Sequence, residues 1–426
     1  MRHLVVIGAG TAGTMVVNKL RPKLATDEWR ITVVDPADVH YYQPGFLFLP
    51  FGTYSDRQVS KPLAPRIRKG VELVQAAVDR VDVAGRTVHL ETGAELVYDY
   101  LVIASGTTPR PAETPGLAEA LGNKVHEFYS YAGAGALAAE LAAFTGGRVV
   151  VHVTEMPIKC PVAPLEFAFL ADDYFTRRGI RDKVQLTYAT PLPGAFTKSI
   201  SAAHLGDMLS QREIALEPDF VVESVDGDAQ VLRSYDEREI GYDLLVTIPV
   251  NMGADFVARS GLGDELNYVP VDKHTLLAKA DDRIFAVGDA TDVPASKAGS
   301  VAHFEVDLFV PNFLAHVAGQ PMPEKFDGHA NCFVESGHGK GLLIDFNYDT
   351  EPLPGTYPVP GIGPMRLLRE TRLNHWGKLA FRHLYWHMLL PGRRLPVPVH
   401  MSMRGKKRPP APPTSATSEI RIPADF

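Results

Sequence analysis

Apolar residues along this chain fall in short, dense, mostly β-branched runs rather than in long helical stripes. Runs near residues 3–7, 30–34, 72–75, 99–103, 148–153, 184–189, 243–247 and 283–287 predict strands, several of them buried on both faces as in parallel sheets. Helix-like stretches lie between them, and the connections are rich in Gly, Pro and Asp. This alternation predicts an α/β architecture built on parallel sheets. No solenoid-length repeat or heptad run is present. From Arg404 the sequence turns basic and then rich in Pro, Ser and Thr, so residues 404–426 are expected to form a flexible tail.

A length of 426 residues allows two or three domains with full cores. The net charge of −7 excludes a general attraction to nucleic acid. That mean conceals residues 366–408, where eleven Lys or Arg face one acid, Glu370, and predict a local basic surface. The first apolar run, Leu4 to Ile7, spans four residues before the glycines begin, too short for a secretory core. No window approaches the roughly 18 apolar residues that cross a bilayer. The expected location is the cytoplasm, with any membrane contact peripheral. The two cysteines, Cys160 and Cys332, lie far apart, and a reducing compartment disfavours a structural staple. Inert buried thiols and a reactive pair both remain open on spacing alone.

Candidate chemistry begins in HLVVIGAGTAGTMVVNKL, a strand followed by Gly8-x-Gly10-x-x-Gly13 and an amphipathic helix. Gly8 makes the tight turn, Gly10 lets backbone approach a pyrophosphate, and Gly13 lets helix and strand pack closely. Thr11 and Ala12 open the helix, whose free N–H groups suit phosphate. Asp35, 27 residues after Gly8, ends the second run, where a carboxylate can accept ribose hydroxyls. YDYLVIASGTTPR and DDRIFAVGDAT each end a strand in small residues, Ala104-Ser105-Gly106 and Gly288-Asp289. These resemble the ATG-like and terminal Gly-Asp motifs of the two-dinucleotide flavoprotein superfamily, which implies FAD. Gln43, Val78 and Lys297 complete the contacts expected for that cofactor.

The second run of valines, residues 149–153, leads into TEMPIKCPVAPLE instead of another glycine loop. Proline removes N–H donors, and Pro157, Pro161 and Pro164 leave a loop unsuited to cradle phosphate. The next strand, VQLTYAT, ends without an acid. A nicotinamide site is disfavoured, and the loop presents Cys160 with Lys159 beside it to favour the thiolate. Here the chain resembles the sulfide:quinone oxidoreductases. The matching stretches are YYQPGFLFLPFG, PIKCPVAPLEF, YDLLVTIPVNMGADFV, TLLAKADDRIFAVGDATDVPASKAGSVAHFE, CFVESGHGKGLLIDFNY and NHWGKLAF.

The resemblance implies two Rossmann-like domains, an FAD-binding one (1–108 and 275–325) and a second, NAD-domain-like one lacking a nicotinamide loop (109–274). A C-terminal quinone- and membrane-facing region (326–403) follows. It further implies that Cys160 and Cys332 face each other and bind the sulfur substrate, with HS⁻ leaving a persulfide on Cys160 and two electrons passing through FAD to a membrane quinone. Glu166 is then a proton handler or, equally, a first-turn helix acid. Lys297 and Lys378 resemble lysines near the flavin and quinone, and Phe333 and Phe381 are candidates to sandwich the quinone ring.

Two departures stand out. Many members carry a third cysteine where this chain has Tyr129, and some carry histidines where residues 190–200 have none. Residues 373–394 mix Trp376, Phe381, Leu384, Tyr385, Trp386, Leu389 and Leu390 with basic residues, a composition suited to a membrane interface or to an ordinary packed helix. The alternatives carried forward are a type II NADH:quinone oxidoreductase-like enzyme and a persulfide-sensing or partner-binding flavoprotein. Self-association into a homo-oligomer is compatible with each.

Overall fold

A computed structural model describes residues 1–395 and 397–408. In chain order its main elements are β1 (Arg2–Ile7), α1 (Thr11–Leu20), β2 (Trp29–Val34), β3 (Glu72–Val74), β4 (Tyr100–Ile103), β5 (Val125–His126), α2 (Tyr131–Ala143), β6 (Gly147–Val153), α3 (Ala163–Arg177), β7 (Val184–Ala189), β8 (Ile214–Glu217), β9 (Leu244–Ile248), β10 (Ile284–Ala286) and α4 (Gly299–Val317). There follow β11 (Ala330–Gly337), β12 (Lys340–Phe346), β13 (Gly355–Val359), β14 (Gly363–Leu367) and α5 (Arg372–Leu384). The eight apolar runs fold as β1, β2, β3, β4, β6, β7, β9 and β10.

Two five-stranded parallel sheets result, in the orders β10-β4-β1-β2-β3 and β5-β9-β6-β7-β8. Their central residues, Leu4 to Val6 in one and Val149 to Val151 in the other, are buried, which is why these runs carry no alternating polar face. β10 re-enters the first sheet beside β4 after the second sheet is complete. Its parallel register puts Gly288 and Asp289 at the same carboxyl-terminal edge as Gly8 and Ser105, the edge where open α/β sheets bind ligands. The C-terminal strands form a four-stranded mixed sheet, order β11-β12-β14-β13, with α3 and α5 packed on it.

Two expectations need correction. Residues 404–408 are not the start of a free tail: Gly405 accepts the Thr356 N–H at 3.0 Å, and Lys407 N–H donates to Pro354 at 2.8 Å. The cause is electrostatic. Asp345 is buried between His329 (2.8 Å) and Asn331 (3.0 Å), and the Lys406 ammonium is drawn into the same pocket to pair with it. The remainder of that expectation, residues 409–426, lies outside the described residues.

The second correction concerns the aromatic helix. Tyr385, Trp386, Leu389 and Leu390 form a buried turn after α5, where Tyr385 and Trp386 pack on Tyr42 and His40. Only Leu373, Trp376 and Leu384 face outward, and Trp376 is 66% exposed. Val359 and Ile362, at the turn between β13 and β14, and Met403 are also exposed. Among the described residues no helix is long and apolar enough to cross a membrane.

Candidate active site

A cavity of about 460 Å³ opens along the carboxyl edge of the first sheet and reaches the second. Gly8, Gly10, Thr11, Ala12, Asp35, Gln43, Ser105, Gly106, Gly288, Asp289 and Lys297 all line it, as do Cys160, Glu166 and Lys378. Gly13 lies behind: a Cβ there would strike the Gly8 carbonyl and come within 3.3 Å of Ala104 Cβ, so the helix can sit this close only on glycine. Gly8 has φ +98°, and a Cβ on Gly10 would meet nothing within 4 Å, leaving the backbone open to the cavity. Val78 is buried in a separate three-stranded sheet and does not line the cavity.

These residues fit a dinucleotide. α1 has no acid in its first turn, so its free amides face the cavity without a competing charge. Asp35 accepts the Ala9 and Ala37 N–H groups at 2.6 and 2.8 Å and keeps lone pairs for ribose hydroxyls. Ser105 Oγ is buried and has no partner among the described residues. Burial raises the Asp289 carboxyl, with Lys297 and Lys159 opposing. Lys297 Nζ is already committed to the Asp289 and Thr291 carbonyls at 3.2 and 2.7 Å and lies 3.8 Å from the Tyr268 ring centre.

The cysteine loop, which carries Pro157 and Pro161, leaves β6 and enters α3, whose first turn carries Pro164. Cys160 has φ +49°, a conformation costly for a side chain with a Cβ. It is held by three backbone contacts: its N–H donates to Lys297 at 2.5 Å, and its carbonyl accepts the Ala163 N–H at 2.9 Å and the Tyr129 hydroxyl at 3.0 Å. Tyr129 thus serves as a brace for the loop. Lys159 turns away, donating to Gln43 Oε1 at 3.0 Å.

Lys378, from α5, also favours the Cys160 thiolate, beside the adjacent Lys159, whose own ammonium is favoured by the Cys160 charge. Even so, burial and then the Glu166 charge push the Cys160 thiol up to about 12. Cys332, on β11, is also raised by burial, with Ser300 Oγ 3.6 Å from its sulfur and opposing. It does not line the cavity, yet it shares the influence of Lys378 and Glu166 and contributes to the Cys160 shift.

Glu166 is fully buried and lies in the first turn of α3. Its Oε1 accepts Lys378 Nζ at 2.7 Å and the Glu335 N–H at 2.6 Å, while Oε2 is buried without a partner among the described residues. Burial raises this carboxyl against the pull of Lys378. Lys378 is opposed by burial, but Glu166 and Cys160 outweigh that and keep it a cation. Its Nζ also donates to the Phe333 carbonyl at 2.9 Å. The Phe333 ring lies against Gly377, one helical turn from Phe381, and neither ring lines the cavity.

Sequence reasoning missed Ser300, Glu335, His375, and the chain Thr11–Tyr385–His40 at the glycine loop, with Oγ1 to Oη 2.8 Å and Nε2 to Oη 2.6 Å. An acid three residues after Cys332 within an apolar strand was a readable signal for Glu335. The others had none.

The profile described as pyridine nucleotide-disulphide oxidoreductase matches residues 2–305. The chain belongs to that family. Within it, the mitochondrial sulfide:quinone oxidoreductase of Dictyostelium discoideum is 28% identical over 399 residues, covering 92% of this chain and 86% of the relative. The mitochondrial sulfide:quinone oxidoreductase of Mus musculus is 25% identical with the same coverage. The crystal structure of the sulfide:quinone oxidoreductase from Aquifex aeolicus superposes with a TM-score of 0.78 at 21% identity, covering 92% of each chain, and shows the same fold.

Proposed function

We propose that this family member is an FAD-dependent sulfide:quinone oxidoreductase in which Cys160 and Cys332 handle sulfur and a membrane quinone accepts the electrons. One observation carries the reading. The place where a second phosphate loop would stand is filled by a braced cysteine that opens onto the flavin cavity beside a buried Glu–Lys pair. The similarity to sulfide:quinone oxidoreductases over most of the chain supports the same assignment.

FAD, held by the glycine loop, Asp35, Ser105 and Asp289, supplies a two-electron acceptor beside the thiols. The protein residues do the rest. With the two cysteines joined, HS⁻ attacks Cys160 sulfur, a sulfur–sulfur bond forms, and the link to Cys332 breaks with Cys332 leaving as thiolate. Lys378 and the Ser300 hydroxyl stabilise the negative charge that appears on these sulfurs. Glu166 Oε2, buried and unpaired among the described residues, is placed to take the proton from the new persulfide or return one. The proline-rich loop excludes the phosphate contacts that a nicotinamide donor needs.

The outward face of α5 and the β13–β14 turn supply the membrane contact. Trp376, Leu373, Leu384, Val359 and Ile362 are exposed here, with Arg366, Arg369, Arg372 and Arg382 nearby in sequence. Aromatic and basic residues in this mixture suit the headgroup boundary. Phe333, Phe381 and Lys378, beneath this face, would receive the quinone.

The test is anaerobic mixing of the yellow protein with sulfide, followed by a short-chain quinone. Sulfide should bleach the flavin and quinone should restore it, whereas NADH should leave it unchanged. Cys160→Ser and Cys332→Ser should each slow bleaching on the order of 1000-fold, as removal of a covalent participant does. Full-rate bleaching in both variants would remove the cysteines from the reaction, and bleaching by NADH would favour the type II NADH:quinone oxidoreductase reading.

A further inference from the structure

We infer that Glu335 and His375 form the outer half of a proton path that ends at the Glu166–Lys378 pair and serves quinone reduction; the inference rests on the sulfide-to-quinone reading above. Stoichiometry requires such a path. HS⁻ gives up two electrons and one proton on becoming sulfane sulfur, and the quinone gains two electrons and two protons on becoming quinol. One proton per turnover must therefore come from solvent, although Glu166 is fully buried.

The contacts run outward from that carboxylate through residue 335, whose amide N–H bonds Glu166 and whose carboxylate bonds His375. Glu166 Oε1 is joined to Lys378 Nζ at 2.7 Å and to the Glu335 N–H at 2.6 Å, and its Oε2 has no partner among the described residues. The Glu335 carboxylate is 1% exposed, and its hydrogen-bonding partner is His375 Nδ1, at 2.8 and 3.0 Å to the two oxygens. His375 lies in the first turn of α5 with 22% of its side chain exposed, one turn before Lys378 on the same helix face. A buried carboxylate bonded to a partly exposed imidazole is an arrangement that can load a proton from water and hand it inward.

Other charges around the pair are accounted for. Asp173 of α3 is the second carboxylate felt by His375, and together with Glu335 it raises the imidazole against burial. Lys378 feels the charge of Glu335 as well as that of Glu166, and of the two it is bonded to Glu166. Tyr54 faces Glu335, Lys378 and Arg382, and the Arg382 guanidinium lies 4.8 Å from its ring centre. Arg212 reaches the neighbouring Ser336 carbonyl but is committed to Glu370 at 2.6 Å. None of these replaces the imidazole as a proton carrier near neutral pH.

The experiment uses holoenzyme bleached anaerobically with sulfide and then mixed with a short-chain quinone, from about pH 6 to 9. In His375→Ala the return of flavin absorbance should slow on the order of 100-fold at the alkaline end, within the range general acids contribute. Added imidazole should restore part of the rate, which a merely structural loss would not allow. An NMR titration of the His375 ring should show a raised midpoint in the wild type that falls in Glu335→Gln. Unchanged reoxidation rate and pH profile in His375→Ala, with no imidazole effect, would overturn the relay while leaving the sulfide reading intact. Wild-type protein that sulfide fails to bleach would sink both.

Discussion

The two parallel sheets each send a central strand through a turn into a helix, and the turns are chemical opposites. After β1 the turn is Gly8 to Gly10, and α1 begins with open amides and no acid. After β6 the turn carries Pro157 and Pro161, and α3 begins with Ala163, Pro164 and the buried Glu166. One turn offers backbone donors to an anion. The other removes donors, points a thiol into the cavity and places a carboxylate where the helix dipole favours it. A shared topology thus yields two sites with different chemistry, because each site is decided by a few side chains at the strand's end.

The contrast can be broken most severely at Gly13. Gly13→Val would drive a branched side chain into the Gly8 carbonyl and Ala104. Overpacking of this kind costs about 3 kcal/mol, or ~100-fold in cofactor affinity, so the purified variant should lose its yellow colour. Retention of full flavin absorbance would show that α1 can back away from the sheet.

On the other side of the comparison, Lys378→Met strands Glu166 as a buried carboxylate without its cation. Breaking such a pair costs about 3–5 kcal/mol, readable as a lower midpoint in denaturant unfolding at neutral pH. The raised carboxyl of Glu166 sets the sign of the pH effect: the variant should recover stability as pH falls and Glu166 takes up a proton. Adding Glu166→Gln to Lys378→Met should recover much of the loss at all pH values. Additive losses in the double variant would mean that the two side chains are not coupled.

The smallest effect concerns thiol reactivity. Glu166 raises Cys160 and Lys378 lowers it, both beneath the larger effect of burial. Glu166→Gln should therefore increase the thiolate fraction at pH 8 and speed alkylation of Cys160 by iodoacetamide about tenfold per unit of pKa. Lys378→Met should slow it. Equal rates in both variants would place the sulfur beyond reach of the pair.

Most of the strands were legible because the centres of β1, β2, β4, β6, β9 and β10 are buried on both faces, so their apolar runs are nearly continuous. The flavin half of the site was legible for a related reason, since Gly8 and Gly13 answer backbone demands, a positive φ and a close helix approach, and Gly10 leaves the backbone open to the cavity. The polar half was less so. Glu166 and Lys378 are 212 positions apart, and nothing in their local sequence predicts that they share a proton. The aromatic stretch after α5 misled in part: its composition suits a membrane surface, but Tyr385 and Trp386 are spent on the core against Tyr42 and His40.

The sequence alone determined the alternating α/β pattern on parallel strands, the glycine cradle and the replacement of a second phosphate loop by a cysteine loop, because each follows from neighbours along the chain. Tertiary structure decided which charges meet. The cation beside the Cys160 loop comes from α5, the amide on Glu166 comes from β11, and the imidazole behind Glu335 comes from the turn of helix that follows Thr371. Electrostatic effects in a buried site depend on separation in space, and the chain brings these residues together only when its C-terminal sheet closes over the cysteine loop.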